Sequence, residues 1–203
     1  MIDYTLYLVT EASMEIERML QTVEAAVKGG VTVVQLREKS IDGKDFYEKA
    51  KQLKSLLDSY KVPLIINDRV DIALAIGASG VHCGQKDMPI EAIRSIVPKE
   101  MVVGISVETK EQAELALLNG ADYVGTGSVF PTFTKNDATP LSKEELQKVT
   151  EVNLPVIAIG GIQQHNISEI TPYKLAGYAV VSAICSAENP KDAASQLLKT
   201  IKN

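Results

Sequence analysis

Tryptophan is absent from the 203 residues, histidine and cysteine occur twice each, and aromatic residues amount to only 5%. A core built on aromatic packing is therefore excluded. The interior must be filled by Val, Ile, Leu and Ala, the residues that fill parallel strands buried on both faces. Cys83 and Cys185 lie far apart and lack metal-ligand spacing, so a disulfide framework is excluded and both are expected to be reduced thiols. No run of Lys or Arg stands out, and the net charge is −5. Nucleic acid and anionic membrane are thereby excluded as expected partners, and an anionic ligand needs a local site. No apolar stretch approaches a membrane span. The opening Met1-Ile2-Asp3-Tyr4 offers neither a basic n-region nor an apolar h-region, so a cytoplasmic protein is expected.

What is present is alternation. Short Val- and Ile-rich runs recur at Tyr4–Val9, Val31–Leu36, Pro63–Ile66, Gly80–His82, Val102–Ile105, Tyr123–Gly125, Pro155–Ile159 and Gly177–Val181. Their length and composition favour strands. Between them the period lengthens. Ile16, Met19, Leu20, Val23 and Val27 share one helical face, as do Phe46, Ala50, Leu53, Leu56 and Leu57, and again Ala113, Ala116 and Leu117. Gly29-Gly30 and Gly120 end helices, and Ser142 with Glu145 makes a capping-box pattern. Eight such β and α units with short connections imply a parallel sheet. An open dinucleotide-binding sheet would carry glycines after its first strand, but Val9-Thr10-Glu11-Ala12-Ser13 has none. No linker or low-complexity tract interrupts the pattern. The reading is α/β: one (β/α)₈ TIM barrel over residues 1–203.

A barrel of this kind builds its active site at the C-terminal ends of its strands, and polar residues gather there. Gln35, Arg37 and Lys39 alternate along one side of an extended segment. They form either an anion clamp, with Arg37 gripping phosphate bidentately, or a set of solvated charges. Asp68 and Asp87 follow strands three and four, near enough on adjacent strands to share a hard cation such as Mg²⁺ with substrate phosphate. The alternative is a helix cap and a turn residue. Gly160-Gly161 and Ser182 follow strands seven and eight, where backbone N–H groups can surround a monophosphate; a tight turn and a capping Ser are the alternative. The rim thus offers two anion sites. The longest strand-to-helix connection, Ser128 to Pro140, suits a loop that closes over a ligand. His82 is expected to be a packed or hydrogen-bonded structural residue. His165 is placed on the seventh helix or its entry, without a role.

Taken in order, these motifs resemble the thiamine phosphate synthase family over almost the whole chain. They are Gln35-Leu36-Arg37-Glu38-Lys39, Ile66-Asn67-Asp68, the segment from Gly80 to Asp87, Gly104-Ile105-Ser106, the segment from Gly127 to Lys135, Ala158-Ile159-Gly160-Gly161-Ile162, and Val180-Val181-Ser182-Ala183-Ile184. The resemblance implies that Gln35, Arg37, Lys39 and Asn67 hold an aminopyrimidine diphosphate. It implies contacts from Ser106 and Lys135 to the same substrate, with Ser106, Arg37, Lys39 and Lys135 serving catalysis. Thr132, Phe133, Thr134, Gly161, Val181 and Ser182 would hold a thiazole phosphate, and Asp68 and Asp87 would bind Mg²⁺. Ser128 and Cys83 depart from the family's more frequent Pro and Leu without touching an implied ligand. The implied partners are small molecules, and a homo-oligomer is left open. A thiazole tautomerase on the same fold would have little use for the clamp and both aspartates, and a non-catalytic thiazole or thiamine phosphate-binding barrel would be expected to have lost the metal pair.

Overall fold

A computed structural model describes residues 2–132 and 140–203. Eight parallel strands close on themselves in sequence order: β1 (Leu6–Val9), β2 (Val33–Leu36), β3 (Leu64–Asn67), β4 (Gly80–Cys83), β5 (Val102–Val107), β6 (Tyr123–Thr126), β7 (Val156–Ile159) and β8 (Gly177–Val180). Closure by a β1–β8 pair, with Tyr7 opposite Ala179, leaves no exposed sheet edge. The helices are α1 (Ile16–Lys28), α2 (Gly43–Tyr60), α3 (Val70–Ile76), α4 (Ile90–Ile96), α5 (Lys110–Leu118), α6 (Lys143–Val149), α7 (Ser182–Cys185) and α8 (Pro190–Lys202).

The strands split the core into two concentric layers. Alternate side chains point inward, and Tyr7, Val9, Val33, Ile65, Tyr123, Ile157 and Ala179 pack together inside the barrel. Their neighbours, such as Leu6, Leu8, Val34, Leu36, Leu64 and Ile66, pack outward against Met19, Val23, Phe46, Leu53 and Leu57 of the helices. This is period-two geometry laid against period-3.6 geometry. Helix starts are fixed by side chains that accept orphan amide hydrogens: Asp42 from Asp45, Thr109 from Gln112, Ser142 from Glu145 and Asn189 from Asp192.

Three details differ from the sequence pattern. After β7 the chain makes only a 3₁₀ turn at Ile167–Glu169, so no seventh crossover helix forms among the described residues, and His165 precedes that turn. Leu117 is 40% exposed, leaving Ala113 and Ala116 as the buried residues of α5. Several strands also reach further into the polar rim than their apolar runs suggest. Asn67, Cys83, Ser106 and Thr126 all lie within the paired ladder, because backbone pairing continues where side-chain hydrophobicity stops.

Candidate active site

At the mouth of β3 the backbone turns left-handed at Asp68, φ 61°, a conformation Asp tolerates better than most residues. Lys39, at the end of the segment after β2, donates from Nζ to Asp68 Oδ2 at 2.5 Å. Burial pushes the Asp68 carboxyl above its ordinary pKa; Lys39 opposes that rise and the nearby Asp87 carboxylate adds to it. Asp87 is held from its own loop, its Oδ2 accepting from the Gly84 N–H at 2.7 Å. The turn role and the proximity of the two carboxylates therefore coexist. Beside them the buried Asn67 keeps its Nδ2 without a hydrogen-bond partner among the described residues, an uncommon state for a buried donor. No set of three His, Cys, Asp or Glu side chains is placed to hold a metal ion among the described residues.

Gln35 and Arg37 take different surroundings despite sharing a side of the strand. Gln35 is buried inside the barrel and donates from Nε2 to the Tyr7 hydroxyl at 2.8 Å. The Tyr7 and Tyr123 hydroxyls lie 3.0 Å apart, His82 Nδ1 is 3.0 Å from the Tyr123 hydroxyl, and His82 Nε2 is 3.0 Å from Ser106 Oγ. Five side chains from five strands thus form one chain across the barrel. Burial holds the His82 imidazole down to about 4, opposed by the Asp87 charge, so it is neutral at physiological pH. Gln85 pins the far end, donating from Nε2 to the Ser106 carbonyl at 2.7 Å.

Arg37 instead lines an open cavity of about 820 Å³ with Glu11, Thr132, Gly161, Val181 and Ser182. Gly161 has φ 65°, and a Cβ there would stand 2.5 Å from the Pro131 carbonyl oxygen, so only glycine lets the β6 loop close against the end of β7. Asn166 Nδ2 donates to the Gly161 carbonyl at 2.9 Å, and Gln163 Nε2 reaches Ser182 Oγ at 2.9 Å. His165 also lines this cavity.

Glu38 faces away from the mouth. It is buried, ion-paired with Lys49 of α2, and accepts from the Ser13 N–H at 2.8 Å. Lys49 also donates to the Met14 carbonyl at 2.6 Å, so the pair ties β2 and α2 to the connection between β1 and α1.

The structure thus gathers Lys39, Asp68, Asp87 and Asn67 on the β2–β4 side of the mouth. It gathers Arg37, Thr132, Gly161, Val181 and Ser182 in the cavity, and it links Gln35 to Ser106 through the interior. Phe133, Thr134 and Lys135 lie outside the described residues. Sequence reasoning assigned no part to Tyr7, Tyr123, Gln85, Gln163 or Glu11. A signal for the two tyrosines was available: each occupies an inward position of its strand, where a hydroxyl needs a buried partner. His82 is packed and hydrogen-bonded as expected, but its partners include Ser106. Both cysteines are free and buried. No described helix is long and apolar enough to cross a membrane.

A closed parallel barrel with carboxylates, a lysine and a glycine-walled cavity at its strand ends belongs to the class of (β/α)₈ enzymes that handle small anionic substrates. Comparison narrows the class. The sequence model of the family described as "Thiamine monophosphate synthase" matches residues 6–184, and the chain belongs to that family. A thiamine-phosphate synthase of Methanobrevibacter smithii is 48% identical over 202 residues, covering 99% of this chain and 97% of that one. One from Clostridium acetobutylicum is 46% identical over 203 residues, covering 99% and 96%. The solved thiamine phosphate pyrophosphorylase of Pyrococcus furiosus superposes with a TM-score of 0.89 at 39% identity, covering 98% and 96%.

Proposed function

We propose that this chain condenses 4-amino-2-methyl-5-hydroxymethylpyrimidine diphosphate with a hydroxyethylthiazole phosphate, giving thiamine phosphate and pyrophosphate; its relatives are named for the synthesis of thiamine phosphate. What supports the reading is that two differently built groups of charged and polar side chains stand at the same end of the barrel. One is Lys39 with the Asp68 and Asp87 carboxylates. The other is the cavity of Arg37, Gly161 and Ser182.

In this reading Gln35, Arg37, Lys39, Asn67, Ser106 and Lys135 hold the pyrimidine diphosphate. Asn67 Nδ2, a buried donor without a partner among the described residues, gains one from this substrate. Thr132, Phe133, Thr134, Gly161, Val181 and Ser182 hold the thiazole phosphate, largely through backbone N–H groups. The two aspartates suit Mg²⁺, which uses one or two carboxylates and completes its shell with water and substrate oxygens; a carboxyl destabilised by burial and by a neighbouring carboxylate gains from a shared cation. Mg²⁺ bound there would neutralise part of the charge on the departing diphosphate.

The methylene C–O bond breaks and its electron pair leaves with pyrophosphate, assisted by electron donation from the 4-amino group. The thiazole nitrogen lone pair then forms the new C–N bond at the same carbon. No proton need be abstracted, so no strong base is required. Lys39, Arg37 and Lys135 stabilise the growing negative charge. The cavity wall holds the nucleophile in line through its phosphate tail. The test is direct: both phosphorylated heterocycles are mixed with the protein and Mg²⁺, and thiamine phosphate and pyrophosphate are assayed together. Failure to form both overturns the reading. Full turnover in excess chelator overturns the metal assignment alone.

A further inference from the structure

Two lysine–carboxylate pairs adjoin the segment after β2, and they are built differently. Lys49 and Glu38 are buried, and Lys49 has a second acceptor in the Met14 carbonyl. The Lys39 and Asp68 side chains are 48% and 22% exposed. Among the described residues Asp68 Oδ2 is the one acceptor that Lys39 Nζ meets, at 2.5 Å. An ion pair in such a setting shifts an equilibrium only by roughly two- to fivefold. The Lys39 ammonium is open to water and can leave Asp68 without any movement of the barrel.

The proposed function asks different things of these two residues: Asp68 for the cation, Lys39 for the diphosphate. In the structure they are bound to each other. An ammonium has three hydrogens, so contact with Asp68 does not by itself bar contact with a phosphate. The single charge of Lys39 is what the two anions compete for. With Asp68 and Asp87 beside it, the cluster carries one positive and two negative groups. A divalent cation arriving alone meets a carboxylate already neutralised and an ammonium that repels it. A diphosphate arriving alone meets an excess of negative charge, and it gains Lys39 only by drawing it from Asp68. Arriving together, the two ions remove both obstacles, because each supplies the counter-ion that the other takes away. Each then raises the affinity of the other by the same factor.

We infer that Lys39 is an exchangeable counter-ion: it neutralises Asp68 until a divalent cation and a diphosphate enter as one complex, then yields Asp68 to the cation and turns to the diphosphate. The inference deepens the substrate reading given above and rests on it. It identifies the species recognised as a metal-complexed diphosphate, with the metal-free diphosphate and the bare cation both disfavoured. The surroundings of Asp68 agree with it. Burial and Asp87 both work against the Asp68 charge, and Lys39 supports it. Once Lys39 leaves, the carboxylate needs another cation beside it.

Wild type, Lys39→Met and Lys86→Met are stripped of metal and titrated, with circular dichroism reporting folding. Mn²⁺, the probe for the divalent cation, is added alone and followed by the paramagnetic resonance of the free ion. Pyrophosphate in excess chelator and the preformed Mn²⁺–pyrophosphate complex are followed by calorimetry. Wild type is expected to bind the complex at least about tenfold more tightly than either ion alone. Lys39→Met removes the competing charge, so Mn²⁺ alone binds about fivefold more tightly, while the complex binds at least about fivefold more weakly. Damage to the site would weaken both. Lys86→Met removes a charge next to Asp87 in the chain, but the partner of Asp68 is Lys39, so Mn²⁺ affinity is expected to stay within about twofold. Lys39→Met that binds Mn²⁺ no more tightly than wild type overturns the inference. So does equal tightening in Lys86→Met, or equal affinity of wild type for the bare ion and the complex. No thiamine phosphate from wild type with both heterocycles and Mg²⁺ overturns the substrate reading and this inference with it; normal turnover with any of the preceding contrary results overturns this inference alone.

Discussion

Glu38→Gln removes one charge from the ion pair that anchors the rim, and the structure sets the size of the loss. The Glu38 and Lys49 side chains are 1% and 8% exposed, so Lys49 has no route to bulk water without moving α2. In the variant its ammonium retains only the Met14 carbonyl and a neutral amide as neighbours. Breaking a buried pair from one side leaves an uncompensated charge and costs about 3 to 5 kcal/mol. In a chain of this length each kcal/mol lowers Tm by roughly 2 to 4 °C, so a fall of about 6 to 20 °C is expected. Thermal unfolding followed by circular dichroism measures it. The double variant Glu38→Gln, Lys49→Met removes both charges and is expected to recover most of the loss. Function follows stability here, because Ser13 and Met14, held by this pair, adjoin Glu11 and Ala12 of the cavity wall. A single variant within about 1 kcal/mol of wild type refutes the argument. So does a double variant no better than the single one.

Asp68→Asn is expected to abolish turnover yet raise the Tm of the ligand-free protein at pH 7. A carboxyl whose folded pKa is raised contributes its stability below the unfolded pKa and loses it as pH rises, so the gap should close on acidification; a lower Tm at pH 7 counts against this. His82 carries the opposite sign. Its folded pKa of about 4 lies below the ordinary 6.5, so wild type should lose roughly 1.4 kcal/mol per pH unit on descent through that window, and His82→Gln should lack this slope in urea titrations. Arg37→Ala should raise KM for both phosphorylated substrates, since Arg37 shares its cavity with Gly161 and Ser182; an unchanged thiazole phosphate KM would contradict that. Ser106→Ala should slow single-turnover chemistry more than pyrimidine binding, and a purely KM effect would oppose it.

The barrel was legible because its periodicities are local. Leu6 to Val9 alternates in and out, and Met19 and Val23 recur on one helical face, patterns that need no distant partner. The missing crossover helix after β7 was not legible, because Ile162, Ile167 and Ile170 are buried and apolar as a helix face would be. What they pack against decides their backbone, and that is set by the whole fold. The rim was legible as an inventory: carboxylates, cations and glycines at strand ends. Its wiring was not. Gln35 and Arg37 look equivalent two residues apart, yet one faces Tyr7 and the other faces a cavity. Only closure of the sheet brings Tyr7 and Tyr123, 116 positions apart, within 3.0 Å.

Closure also explains where hydrogen-bonding capacity is left over. Within the barrel Gln35, Tyr7, Tyr123 and His82 satisfy one another, as buried polar groups must if the fold is to tolerate them. The two buried side-chain atoms without partners among the described residues are Asn67 Nδ2 and Thr126 Oγ1, and each belongs to the last residue of its strand. Depth alone does not separate them from the satisfied group, since Thr126 is as buried as any residue of the core. Position does: both stand at the end of the barrel where Asp68 is also held above its ordinary pKa. Orientation then separates the two: Asn67 shares the inward parity of Ile65, whereas Thr126 shares the outward parity of Val124, so among the described residues it is the Asn67 amide whose unspent donor stands on the inner side of the barrel, next in the chain to Asp68.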